Sequence, residues 1–132
     1  MKSGNIVLVE NFEFIDWDLN IKGYERKCIV LFDAGDKVCL CPIVSDVLAF
    51  NNNSNNYYFL PFTNKKGKKL TFAKLNSIVL LEKDRVVETE FYLDNANMIR
   101  LINKVKNNYL NYKINENYEE YISKTEESIC VK

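Results

Sequence analysis

A chain of 132 residues with 47% hydrophobic and 13% aromatic side chains is long and apolar enough to bury a core, and it reads as one globular domain. Lysine plus arginine equals aspartate plus glutamate, 18 against 18, so no overall basic field points to nucleic acid and only local patches can recruit it. Histidine is absent, which excludes a histidine-dependent hydrolase and a histidine-built zinc site.

The chain opens on Met1-Lys2-Ser3-Gly4-Asn5, without the apolar core of a signal peptide, and no later run is long enough to span a bilayer. A cytoplasmic protein with no membrane partner is expected. Ile6 to Val9 reads as a first strand. From Glu10 to Lys22 the aromatics Phe12, Phe14 and Trp17 alternate irregularly with carboxylates, which suits a long loop, with some of these rings folded back onto the core. Cys28 to Phe32 and Val38 to Val44 are dense in β-branched and aromatic residues, and they flank Asp33-Ala34-Gly35-Asp36-Lys37, a turn sequence. The pair is a hairpin, and its strands are apolar without alternation, so both faces should be covered. Cys39 and Cys41 then share one strand face and, with Cys28, read as small buried hydrophobes.

The hairpin brings two ends together. Lys22, Glu25, Arg26 and Lys27 precede its first strand and Ser45 follows its second, so basic, acidic and hydroxyl groups converge there. Beyond it, Asp46 to Phe50 runs into the polar tract 51–56, a surface loop. Tyr57 to Phe62 is a strand that Pro61 confines to an edge or a strand end. Asn64-Lys65-Lys66-Gly67-Lys68-Lys69 is a basic turn, Leu70 to Ala73 and Ile78 to Leu81 are short strands, and Glu82 to Arg85 is a polar turn before Val86 to Thr89. Asp94 or Asn95 can cap a helix in which Met98, Leu101, Ile102, Val105, Tyr109 and Tyr112 form one apolar stripe. Tyr118, Tyr121, Ile122 and Ile129 recur at roughly helical spacing in an acidic C-terminal segment, open to either a second helix or a tail. Five to seven short strands finished by a helix predict a mainly β, α+β fold of the small-barrel kind, SH3-like or OB-like.

Several short motifs, in order, resemble the MazF/PemK toxins, the endoribonucleases of bacterial toxin–antitoxin systems. Gly4-Asn5-Ile6-Val7-Leu8-Val9 is similar to the family's opening Gly-Asp-Ile-Val, and Gly23-Tyr24-Glu25 with Lys27-Cys28-Ile29-Val30-Leu31 to its Gly-x-Glu followed by Arg-Pro-x-hydrophobic-Val. Cys41-Pro42-Ile43-Val44-Ser45 falls where the family has hydrophobic-Pro-hydrophobic-Thr-Ser. Thr71 to Ile78 is similar to Ser-Tyr-Val-x-x-Asp-Gln-Ile, and Glu82-Lys83-Asp84-Arg85-Val86 to Asp-Lys-x-Arg-Leu.

The resemblance implies an SH3-like barrel over residues 1–114, closed by a helix at 94–113, with 115–132 as a helical or flexible extension. It further implies a homodimer, neutralised by an antitoxin protein, that cleaves single-stranded RNA without a metal or other cofactor. In that chemistry the ribose 2′-hydroxyl attacks the adjacent phosphorus, which calls for a base, an acid and positive charge around the pentacoordinate phosphate. The resemblance puts forward Lys27, Arg26 and Ser45 as catalytic candidates, with Glu25, Lys22, Trp17 and Asn76 as substrate contacts. Two positions depart from the pattern. Lys27 stands at the family's arginine, with Arg26 one residue earlier, and Val44 stands at its threonine, leaving Ser45 next door as the hydroxyl. A domain that binds RNA or a protein partner without cleaving is the alternative.

Overall fold

The turn between Asp33 and Lys37 closes the central hairpin. Asp33 Oδ1 accepts from the Gly35 N–H at 2.8 Å, Ala34 N–H donates to Lys37 O at 2.9 Å, and Gly35 takes a φ of +96° that glycine adopts without penalty. The computed structural model describes residues 1–10, 12, 25–45, 54–63 and 70–130. Within them the strands are β1 (Asn5–Val9), β2 (Arg26–Asp33), β3 (Lys37–Val44), β4 (Tyr57–Thr63), β5 (Leu70–Lys74), β6 (Val79–Glu82) and β7 (Val86–Tyr92). Two helices follow, α1 (Asn95–Asn108) and α2 (Tyr118–Cys130).

All seven strands join one antiparallel sheet in the order β4-β5-β3-β2-β1-β7. β3 is the pivot. One of its edges pairs with β2, while the other meets β6 from Lys37 to Leu40 and then β5 at Ile43 and Val44. Because β3 changes partner along its length, the sheet bends there. Its two ends come to share one inner cluster: Val7 and Val9 of β1 pack with Val44, Tyr57 and Phe72 of the opposite end, over Cys28, Val30, Val38 and Leu40. Residues of the other parity, among them Ile29, Leu31, Cys39, Cys41, Ile43 and Ala73, face the helices. The result is a small barrel-like α+β fold built on an open sheet, mainly β with C-terminal helices.

Both faces of β2 and β3 are buried, as their unbroken apolar runs require. A bulge between Val30 and Phe32 slips the pairing, so Phe32 joins Ile29 and Leu31 on the helical side. Pro61 lies in β4, which is at one edge of the sheet. Asp94 caps α1, its Oδ1 accepting from Asn97 N–H at 2.9 Å, and Met98, Leu101, Ile102 and Val105 turn inward. The acidic C-terminal segment forms α2, which sets Tyr118, Ile122 and Ile129 into the same cluster. Among the described residues, no helix is long and apolar enough to cross a membrane.

Gly4 ties three elements together. Its N–H donates to Val30 O at 2.7 Å, its carbonyl accepts from Leu93 N–H at 2.8 Å, and its φ is +94°. A Cβ there would lie 2.6 Å from Leu93 O, backbone that cannot swing aside. Gly4→Ala is therefore expected to destabilise the fold by about 2 kcal/mol or more, the left-handed backbone alone costing about 1–2 kcal/mol. Urea unfolding checks it.

Asp33 also collects the Met1 amino group at 2.7 Å and Lys83 Nζ at 2.6 Å. Burial by itself would raise its carboxyl, but hydrogen bonds from Lys83, the Met1 amine and Gly35 N–H outweigh that and hold it well below the usual carboxylate range. A depressed folded-state pKa stabilises above the unfolded value and is lost as pH falls through the folded one. The urea midpoint should thus decline as pH drops from about 4.5 to about 2.5, with less decline in Asp33→Asn.

Candidate functional site

The residues around the hairpin's open end are placed by register. Cys28 pairs with Pro42 and Ile29 with Cys41, so continuing the ladder outward sets Arg26 level with Val44 and Glu25 level with Ser45. On its other edge β2 pairs with β1, Arg26 opposite Val9 and Lys27 opposite Leu8. The structure thus brings Glu25, Arg26, Lys27 and Ser45 to one end of the sheet.

Alternation then separates them. Arg26 has the parity of the inner cluster, is half-buried, and donates from Nη1 to Ile43 O at 3.2 Å. That bond pins a guanidinium across the end of β3. Burial lowers its pKa and the neighbouring Cys28 opposes the shift, yet a guanidinium starting near 12.5 stays a cation at neutral pH. Lys27 points to the opposite face and is exposed, as is Glu25, while Ser45 is half-buried. Val44 is 1% exposed, so the position corresponding to the family's threonine faces the barrel interior. Cys28, Cys39 and Cys41 are free thiols that burial pushes far above neutral ionisation, so none of them is a nucleophile here.

Asn76 is buried. It is 3% exposed, in the 3-10 turn Leu75–Ser77, and its Oδ1 accepts from Lys74 Nζ at 2.6 Å. Lys74 is itself fully buried, its ammonium 5.6 Å from the Tyr57 ring centroid. A lysine closing a strand gives no sign in the sequence that it will be enclosed. Trp17, Lys22 and the basic turn 64–69 lie outside the described residues, as does most of the loop before Ser54.

Chemically, the end of the hairpin offers two cations on opposite faces of one strand, a hydroxyl and a carboxylate. A guanidinium and an ammonium can each pair with a phosphate oxygen and spread the charge of a crowded phosphorus centre. Fold and site together define a small α+β barrel-like domain whose sheet end carries Glu25, Arg26, Lys27 and Ser45. No protein-family model matches this chain, and no curated protein matches it. Among solved structures it is similar to one described as "A processed non-coding RNA regulates a bacterial antiviral system", at 17% identity and a TM-score of 0.41, over 96% of this chain and 83% of that one. Nothing about chemistry follows from a similarity at that level.

Proposed function

We propose that the protein is a metal-independent endoribonuclease of the toxin kind, acting on single-stranded RNA at the open end of the β2–β3 hairpin. The observation that carries this reading is the register that brings Glu25, Arg26, Lys27 and Ser45 to one end of the hairpin, with the Arg26 guanidinium fixed on Ile43 O at 3.2 Å. The ordered motifs of a MazF/PemK resemblance support it independently. The ribose 2′-oxygen attacks phosphorus and gives up its proton to a base, the bond from phosphorus to the 5′-oxygen breaks, and the leaving oxygen takes a proton. A 2′,3′-cyclic phosphate and a 5′-hydroxyl result. Arg26 and Lys27, reaching past the end of the strand from its two faces, neutralise the phosphoryl oxygens, where most of the developing charge sits, and Ser45 donates to the same group. Glu25, Lys22 and Trp17 contact flanking nucleotides, and Asn76 acts from inside, by holding Lys74.

In this reading residues 1–114 are the catalytic barrel with its closing helix at 94–113, and 115–132 is an addition whose Tyr118, Ile122 and Ile129 pack into the same core. The protein works as a cytoplasmic homodimer, held inactive by an antitoxin protein. The alternative, a domain that binds RNA or a protein partner without cleaving, is favoured by Val44, whose buried side chain carries no hydroxyl where the family has one. Incubating the protein with a long unstructured RNA in excess chelator separates the two. Discrete fragments with 5′-hydroxyl ends support the nuclease, whereas intact RNA retained by folded protein supports the binding module.

A further inference from the structure

A pocket of about 410 Å³ opens at the same end of the sheet, lined by Glu10, Asp84, Arg85 and Val87. No part of the proposed reaction uses it. Its place follows from β1, whose last residue, Val9, pairs with Arg26 on one side and with Val86 on the other. One residue earlier, Leu8 pairs with both Lys27 and Val87, so Lys27, Leu8 and Val87 form a row across three strands, on one face. The pocket therefore lies on the Lys27 face, two strands or about 10 Å away.

Its lining is mixed. Val87 is 61% exposed and offers an apolar floor. The Arg85 guanidinium, part of the lining, donates a long hydrogen bond, 3.5 Å, from Nη2 to Glu10 O. Glu10 and Asp84 are exposed and, as carboxylates, accept hydrogen bonds and donate none. A phosphate would be repelled by that pair. A nucleobase suits it: a flat apolar face over Val87 and Arg85, with an edge that donates to carboxylates. The volume falls within the range of about 300–1,000 Å³ typical of small-ligand sites.

We propose that this pocket is the base subsite for a nucleotide flanking the phosphate held at Lys27, and that it selects bases carrying an exocyclic amino group over uracil. Carboxylates accept from such groups, as they do from cytosine N4. The proposal rests on the RNA-binding reading above and adds the base preference of that same surface.

The test is cleavage of a randomised RNA pool by the full chain, with product ends sequenced, beside binding of uncleavable oligodeoxynucleotides of adenine, cytosine and thymine, the last presenting uracil's hydrogen-bonding edge. The wild type should show amino-bearing bases enriched at one position beside the cut and should bind adenine and cytosine runs more tightly than thymine. Glu10→Gln with Asp84→Asn should reduce that preference about tenfold, as expected for one base-specific contact, while cleavage continues. Arg85→Met should weaken binding to every sequence. All three positions are exposed, so these variants fold. Cleavage or binding with an unchanged base profile in the double variant overturns the subsite and leaves the nuclease intact. A wild type that neither binds nor cleaves overturns both.

Discussion

Replacing Tyr118 by alanine should destabilise the protein by about 3–5 kcal/mol, the cost of emptying a large buried aromatic site and a sizeable part of a stability that is typically about 5–15 kcal/mol. Tyr118 is 2% exposed and sits among three other tyrosines, with ring centroids 6.5 Å from Tyr109, 5.8 Å from Tyr112 and 5.9 Å from Tyr121. Its hydroxyl donates to Leu75 O at 2.7 Å and accepts from Ile78 N–H at 3.0 Å. Those two backbone groups bracket the 3-10 turn between β5 and β6, so one side chain of α2 fastens the helix to the barrel. Burial pushes the phenol far above its ordinary ionisation, so the donor persists at every physiological pH. Tyr118→Phe keeps the rings and removes only the hydroxyl, leaving two buried backbone groups without it at about 1–3 kcal/mol. Urea titrations of the two variants separate ring from hydroxyl. A phenylalanine variant as stable as the parent would mean that water or a rearranged turn replaces the bond.

That anchor explains which parts of the fold could be read from the sequence. The central hairpin was legible because Cys28 to Phe32 and Val38 to Val44 are apolar on both faces and the turn between them carries Gly35, all local information. The stripe from Met98 to Val105 was equally local, and so was its Asp94 cap. α2 was legible only as a possibility. Tyr118, Tyr121, Ile122 and Ile129 have helical spacing, but what commits them is a hydrogen-bonded turn far away in sequence, and no local pattern reports that. β7 runs on to Tyr92, past the Val86 to Thr89 stretch picked out in the sequence, and Asn5 Nδ2 donates to the carbonyls of Thr89 and Phe91 at 3.0 and 3.1 Å along that extension.

The site divides in the same way. Convergence of Glu25, Arg26, Lys27 and Ser45 follows from hairpin register alone, so it could be reasoned from the chain. Enclosure of Lys74 and Asn76 depends on the sheet bending where β3 changes partner, a long-range event. The pocket lined by Glu10, Asp84, Arg85 and Val87 likewise needs β7 to land beside β1, although the two are far apart in sequence.

The largest effect on activity is expected at Arg26. In the proposed reaction the guanidinium, one Nη1 hydrogen of which Ile43 O holds, is oriented before substrate arrives and needs no reorganisation as charge develops on the phosphoryl oxygens. Arg26→Ala should lower kcat/KM by about 10²–10³-fold, the usual loss when one preorganised donor is removed. Arg26→Lys restores the charge without the planar fork and should recover only part of it. Lys27→Ala, at an exposed position on the helical side, should lose a comparable factor and also weaken the dependence of binding on salt, since an ammonium in solvent works as a phosphate counter-charge. The double variant should fall little below the worse single one, because groups that stabilise one transition state act as a unit. Folding should survive these changes, as each removes at most a partly exposed contact of about 1 kcal/mol. The measurement is product formation from a defined RNA in chelator, beside a thermal melt of each variant. A folded Arg26→Ala protein that cuts RNA at the parental rate would remove the guanidinium from the reaction and leave Lys27 and Ser45, on the opposite face of the hairpin, to account for it.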